Sequence, residues 1–166
     1  MAVVLTCAVA AVSAAAQEPA PVPPGPTAAA ATTAPQIESA LLTAMNRARA
    51  ASGRAPLRPL ATLNRAARTQ SRALVAAGAF QHESLDGSPF WTRLVAAGFP
   101  ANRRMGENLS LVSTCHRSAA TQTVAMWLAS PGHRANLLNP RFHFVGSGAA
   151  SAPDCSETIL TADYGS

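Results

Sequence analysis

The chain has 166 residues, 48% of them hydrophobic and only 13% charged, enough for one domain with a real core and some chain to spare. Thirteen basic residues against eight acids leave a net charge of +5. All thirteen are arginine, which reads as codon bias rather than as a mechanism.

From Met1 to Ala16 the residues are apolar or small and uncharged, and Ala14-Ala15-Ala16 before Gln17 has the form of a signal-peptidase site. The run is shorter than the ~20 apolar residues of a membrane span, so residues 1–16 are expected to be an export signal, although no Lys or Arg precedes them. Cys7 sits too early, and without a preceding Gly or Ala, to be a lipoprotein cysteine. Residues 17–35 are rich in Pro, Ala and Thr and lack a periodic apolar face, as expected of a solvated linker. The folded domain is expected over 36–166.

Helical periodicity begins there. Ile37, Leu41, Leu42, Met45 and Ala48 share a face, and Gly53 supplies a stop. A second helix is predicted from about Thr62 to Ala77, ended by Gly78. Ser88-Pro89 reads as an N-cap with proline at the first helical position, opening a short helix that runs to Ala97. Ser118 or Thr121 opens a longer helix containing Val124, Trp127 and Leu128. Ser130-Pro131 repeats the cap-plus-proline signal, for a helix to Leu138. Phe142–Ala149 and Thr158–Tyr164 are predicted strands, with Phe142 and Phe144 on one face and His143 on the other. Helices first and strands last argue for an α+β sandwich.

Arg65, Arg68 and Arg72 share one helix face, with Arg47, Arg49, Arg54 and Arg58 just upstream. Such a face reads first as a solvated one coloured by codon bias, and it would also suit an anionic envelope polymer. No aromatic residues interleave with it, and no groove-reading motif occurs, which argues against nucleic acid. Beyond the leader the cysteines are Cys115 and Cys155, read as one disulfide in an exported protein. Neither belongs to a C-x-x-C pair, which argues against a cysteine zinc site.

Three residues in loop-like or helix-start contexts carry chemistry: His82, Glu107 and His133. Two imidazoles and a carboxylate are an adequate ligand set for zinc, and the same groups serve as acid and base without metal. Their spacing alone does not force them together. Ser130 reads as a helix cap rather than a nucleophile, since no G-x-S-x-G elbow is present. His116 and His143 read as surface or packing residues.

In order, the segments Phe80-Gln81-His82, Gly106-Glu107-Asn108-Leu109, Ala125 to Leu138 (AMWLASPGHRANLL) and Val145-Gly146-Ser147-Gly148 resemble the CAP superfamily. That superfamily comprises cysteine-rich secretory, antigen 5 and pathogenesis-related 1 proteins, and the match is to its bacterial SCP-like branch. The resemblance covers Gln36 to the C-terminus. It implies a three-layer α-β-α sandwich with a cleft lined by two His and two acidic residues. His82, Glu107 and His133 fall at three of these positions, and Ser130 stands where a Glu is usual. The expectation is therefore a secreted, monomeric domain, in solution or held at the cell envelope. Its cleft, lined by His82, Glu107, His133 and Ser130, would take a small molecule or lipid, or an envelope component. The three ligands are expected within roughly 3–7 Å of one another, with weak, exchangeable zinc on His82, His133 and Glu107. The alternatives are a metal-dependent hydrolase using the same residues and a structural wall-associated domain.

Overall fold

A computed structural model of the chain describes residues 32–166; the expected signal and most of the expected linker lie outside them. The first helix, α1 (Ala34–Ala51), begins inside that linker, because Pro35 is tolerated in a first turn. Gln36 Oε1 accepts the Thr33 N–H at 3.0 Å, satisfying a donor ahead of the helix. Its buried stripe is Ile37, Leu41 and Met45. A short strand β1 (Arg58–Pro59) leads into α2 (Ala61–Ala77), which Gly78 ends in the left-handed conformation. Next come α3 (Phe90–Ala96), β2 (Met105–Val112), α4 (Ser118–Ala129), α5 (Pro131–Leu137), β3 (Phe144–Ser151) and β4 (Thr158–Gly165).

The four strands form one sheet in the order β1-β3-β4-β2, with β1 parallel to β3 and the other pairs antiparallel. Alternation along the strands sends side chains to two helical layers. Leu109 and Ile159 meet Leu74 of α2 on one face. Val145, Ala149, Leu160, Ala162 and Tyr164 join α1 and α4 on the other. The result is an α-β-α sandwich. The Val-Gly-Ser-Gly segment has a direct physical reason here. A Cβ on Gly146 would lie 2.0 Å from the Leu63 carbonyl carbon, and one on Gly148 would lie 2.3 Å from that of Ala67. Only glycine lets α2 press its backbone onto β3.

Three sequence expectations change. Glu107 lies not in a loop but in strand β2, which pairs with β4 over its whole length. Phe142 precedes β3, its N–H closing a turn onto the Asn139 carbonyl. It therefore stacks on Tyr164 in the α1 layer, while Phe144 packs in the α2–α3 layer with Leu63 and Leu94. Ser88 does not cap α3. Pro89 is the cap residue, and the Ser88 N–H turns back to Asp86 Oδ1 at 2.9 Å. Cys115 and Cys155 are joined by a disulfide with Cα atoms 5.2 Å apart, tying the β2–α4 connection to the β3–β4 turn. Among the described residues no helix is long and apolar enough to cross a membrane.

Candidate functional site

Strand β2 is an edge strand, and edge carbonyls need donors. Side chains from the helices supply them. Trp127 Nε1 donates to the Leu109 carbonyl at 2.9 Å, and Asn136 Nδ2 to the Glu107 carbonyl at 3.1 Å. Asn108 returns the tie, its Nδ2 donating to the His133 carbonyl at 2.9 Å. The turn from α4 to α5 makes this reach possible. Ser130 ends α4 in an extended conformation, Pro131 restarts the helix, and the Arg134 N–H bonds to the Ser130 carbonyl at 2.8 Å. His133 thus stands in the first turn of α5, folded back against β2. Gly106 keeps this corner narrow, since a Cβ there would lie 2.9 Å from the Phe142 ring.

At that edge His82, carried by the loop after α2, places Nδ1 2.9 Å from Glu107 Oε1. The His133 ring centre lies 6.5 Å from that of His82 and also 6.5 Å from that of Trp127. The structure therefore brings three of the four expected residues to one edge. Ser130 contributes the helix restart, and no hydrogen bond joins its side chain to the other three among the described residues. Glu107 does not project from a loop as expected. Its side chain is 1% exposed, while that of His82 is 49% exposed.

Sequence reasoning missed two charged partners. Arg93 of α3 bonds Glu107 Oε2 through Nη2 and Ser84 Oγ through Nη1, the latter at 3.0 Å. Asp163 of β4 is the register partner of Glu107 and is fully buried. Neither of its oxygens has a hydrogen-bond partner among the described residues. Burial, then the Glu107 charge beside it, push the Asp163 carboxyl well above its usual range. The hydrogen bond to Glu107 pushes His82 up from the ordinary histidine value, against the opposing effect of partial burial. Burial, then the charge of His82, push His133 down. A visible signal for Arg93 was its position as the lone charge in Ser88–Gly98; for Asp163, its position as the lone charge in Thr158–Gly165.

Of the three residues expected to hold zinc, Glu107 and His82 are already engaged by protein groups. Each Glu107 oxygen is already paired, Nδ1 of His82 is spent on one of them, and a guanidinium occupies the other. Among the described residues no three His, Cys, Asp or Glu side chains are grouped so as to hold a metal ion. A separate groove of about 500 Å³ between α1 and the start of α4, lined by Ala40, Ala44, Arg47, Arg117 and Thr121 among others, shares none of the site residues.

The family model described as "Cysteine-rich secretory protein family" (CAP) matches residues 42–164. An uncharacterized protein of Bacillus subtilis (strain 168), YkwD, is 33% identical over 104 residues, which cover 62% of this chain and 38% of that protein. Among solved structures, an extracellular SCP-domain protein of Bacillus anthracis superposes with a TM-score of 0.68 at 21% identity, over 79% of this chain and 40% of the other. An outer surface protein of Borrelia burgdorferi gives 0.65 at 19% identity, over 78% of this chain and 92% of the other. At these identities the structural likeness is one of fold.

Proposed function

Because the chain belongs to the CAP, or cysteine-rich secretory protein, family, we propose that it acts outside the cell as a binding domain, taking a small, partly apolar ligand between His82 and His133. One observation carries this reading. Buried Glu107 fixes His82 by Nδ1 and leaves the other edge of a half-exposed ring free, beside a second imidazole 6.5 Å away. Phe80, Leu85 and Trp91, all at least half exposed, lie within a few residues of His82 and Arg93. Few polar anchors beside apolar area is the composition of small-molecule sites. Extracellular placement is supported by the disulfide, by the apolar start of the chain, and by the relative described as an extracellular protein.

A hydrolytic reading draws on the same pair, since a carboxylate-oriented imidazole is the arrangement of a general base. Among the described residues no Ser, Thr or Cys side chain hydrogen-bonds to His82, so the pair has no protein nucleophile to activate. Binding is the better-supported reading.

The test is untargeted mass spectrometry of small molecules carried by natively purified wild type, His82→Ala and His133→Ala. Amide NMR spectra follow on adding a lipid extract of the producing cells. The expected result is a compound carried by wild type and lost by both variants, with shifts clustered at His82, His133 and Trp91. A compound retained equally by all three proteins overturns the proposal. So does a wild type that carries none and shows no clustered shifts.

A further inference from the structure

Two carboxyl groups side by side in a dry place call for a cation. Glu107 and Asp163 are such a pair, opposite one another on β2 and β4 and both buried. A divalent ion is one answer to that demand. This chain carries another answer, one helix away.

Arg93 reaches the pair from α3 with its own side chain only 7% exposed. Its Nη2 bonds Glu107 Oε2, Nη1 donates to Ser84 Oγ at 3.0 Å, and the same nitrogen lies 3.5 Å from the His82 carbonyl. Leu94, the next residue, is fully buried against Leu63 and Phe99, which holds α3 in place. The guanidinium cannot be displaced without pulling that anchor or leaving Glu107 uncompensated. A planar, permanently charged fork is also well matched to a carboxylate edge.

We infer that Arg93 is a built-in cation that makes the His82–Glu107–His133 edge refuse a divalent metal, and that this one residue determines the site's ion specificity. The charge on Glu107 is already neutralised by its partners, Asp163 is wholly buried, and only the two imidazoles face outward. A metal would have to expel a guanidinium before gaining its carboxylate ligand. The inference is independent of which ligand the edge takes and stands or falls on metal binding alone.

The experiment is a titration of the full oxidised chain with zinc chloride, after removal of adventitious metal. Bound zinc is counted by elemental analysis, and the His82 and His133 ring signals are followed by NMR. Wild type is expected to leave both signals unmoved. Arg93→Met keeps the aliphatic bulk and removes the charge. It is expected to bind zinc at His82 and Glu107, with affinity raised by at least about a hundredfold, as removal of a neighbouring unit charge implies. Arg93→Lys, which restores the charge, should return toward wild-type exclusion, and Arg93→Met with Glu107→Gln should lose the gain. Wild-type zinc binding that His82→Ala abolishes overturns the inference, and this measurement needs no Arg93 variant to fold. A folded Arg93→Met that takes up no more zinc than wild type overturns it equally.

Discussion

Arg49 should be the costliest single arginine in the fold to lose, and the reason can be worked through. It sits near the end of α1 and is 1% exposed. Among the described residues its guanidinium is paired with no carboxylate. It donates to four backbone carbonyls: Ala55 at 2.7 Å, Leu137 at 2.8 Å, Asn139 at 3.1 Å and Phe142 at 3.3 Å. These close the end of α1, the end of α5 and the approach to β3 around one side chain. Burial lowers its pKa from the ordinary arginine value, the mark of a charge held in a dry place at some cost. Arg49→Met fills much of the volume and removes every donor. The bonds to Leu137 and Phe142 are fully buried, and a buried carbonyl left without a donor costs roughly 1–3 kcal/mol. Two of them therefore cost roughly 2–6 kcal/mol. Removing the guanidinium relieves its own desolvation and offsets part of that. The expected loss is about 3 kcal/mol, or about 10 °C in melting temperature for a domain of this size.

Urea denaturation of the oxidised protein, followed by tryptophan fluorescence and checked by calorimetry, measures it. Arg49→Lys should fall between the two, because one ammonium cannot reach four carbonyls. The His133 ring signal should also move in Arg49→Met, since the Leu137 carbonyl ends the helix that His133 begins. A Met variant within about 1 kcal/mol of wild type would show that the carbonyls find other partners, and would refute the reasoning.

Two further outcomes are expected. In an NMR titration His82 should titrate above the ordinary 6.5 and His133 below it. Glu107→Gln should bring His82 down, and the reverse order in wild type would contradict the site geometry. Because the folded pKa of His82 is raised, its contribution to stability is complete below the ordinary value and lost as pH rises through the folded one; with the ring half exposed it should be small and salt-sensitive. Cys115→Ser opens a cross-link spanning 40 residues, for a loss of up to about 4 kcal/mol. A melting temperature unchanged by that substitution would mean that the unfolded chain is not constrained by the bridge.

What could be read from the chain follows from which residues bear periodicity. The α1 stripe of Ile37, Leu41 and Met45, the Gly78 stop and the Ser130-Pro131 restart are local signals, and each element formed where its signal stands. Strand β2 was hidden because its chemistry displaced its pattern. Gly106, Glu107, Asn108 and Ser110 are poor strand formers, yet all four are buried, held by cross-layer bonds such as Ser110 to Thr123 at 2.7 Å. The two-residue β1 is too short to show any period. Arg49 looked like one more surface arginine, because nothing local says that four carbonyls converge on it. Arg93 and Asp163 were missed for the same reason, as each acquires its meaning only from Glu107 across the sheet.

That division bears on what membership of the family transfers. Three of the motif residues tie backbone into place: Trp127 at Leu109, Asn136 at Glu107, and Asn108 at His133. Such ties depend on strand and helix positions alone, so any chain that keeps them keeps the corner where two helical layers meet the edge of β2. His82 and His133 are different, because among the described residues each keeps ring positions with no hydrogen-bond partner. What those positions do depends on the charge behind them, and that charge is set by Glu107 together with two residues outside the motifs, Arg93 and Asp163. A relative with the same motifs and a neutral residue at the place of Arg93 would present the same two imidazoles over an unneutralised carboxylate. On the inference drawn from Arg93, its edge would attract cations where this one is expected to refuse them. A search for the proposed ligand therefore starts from α3 and β4 of this chain, which carry the charges behind the two imidazoles.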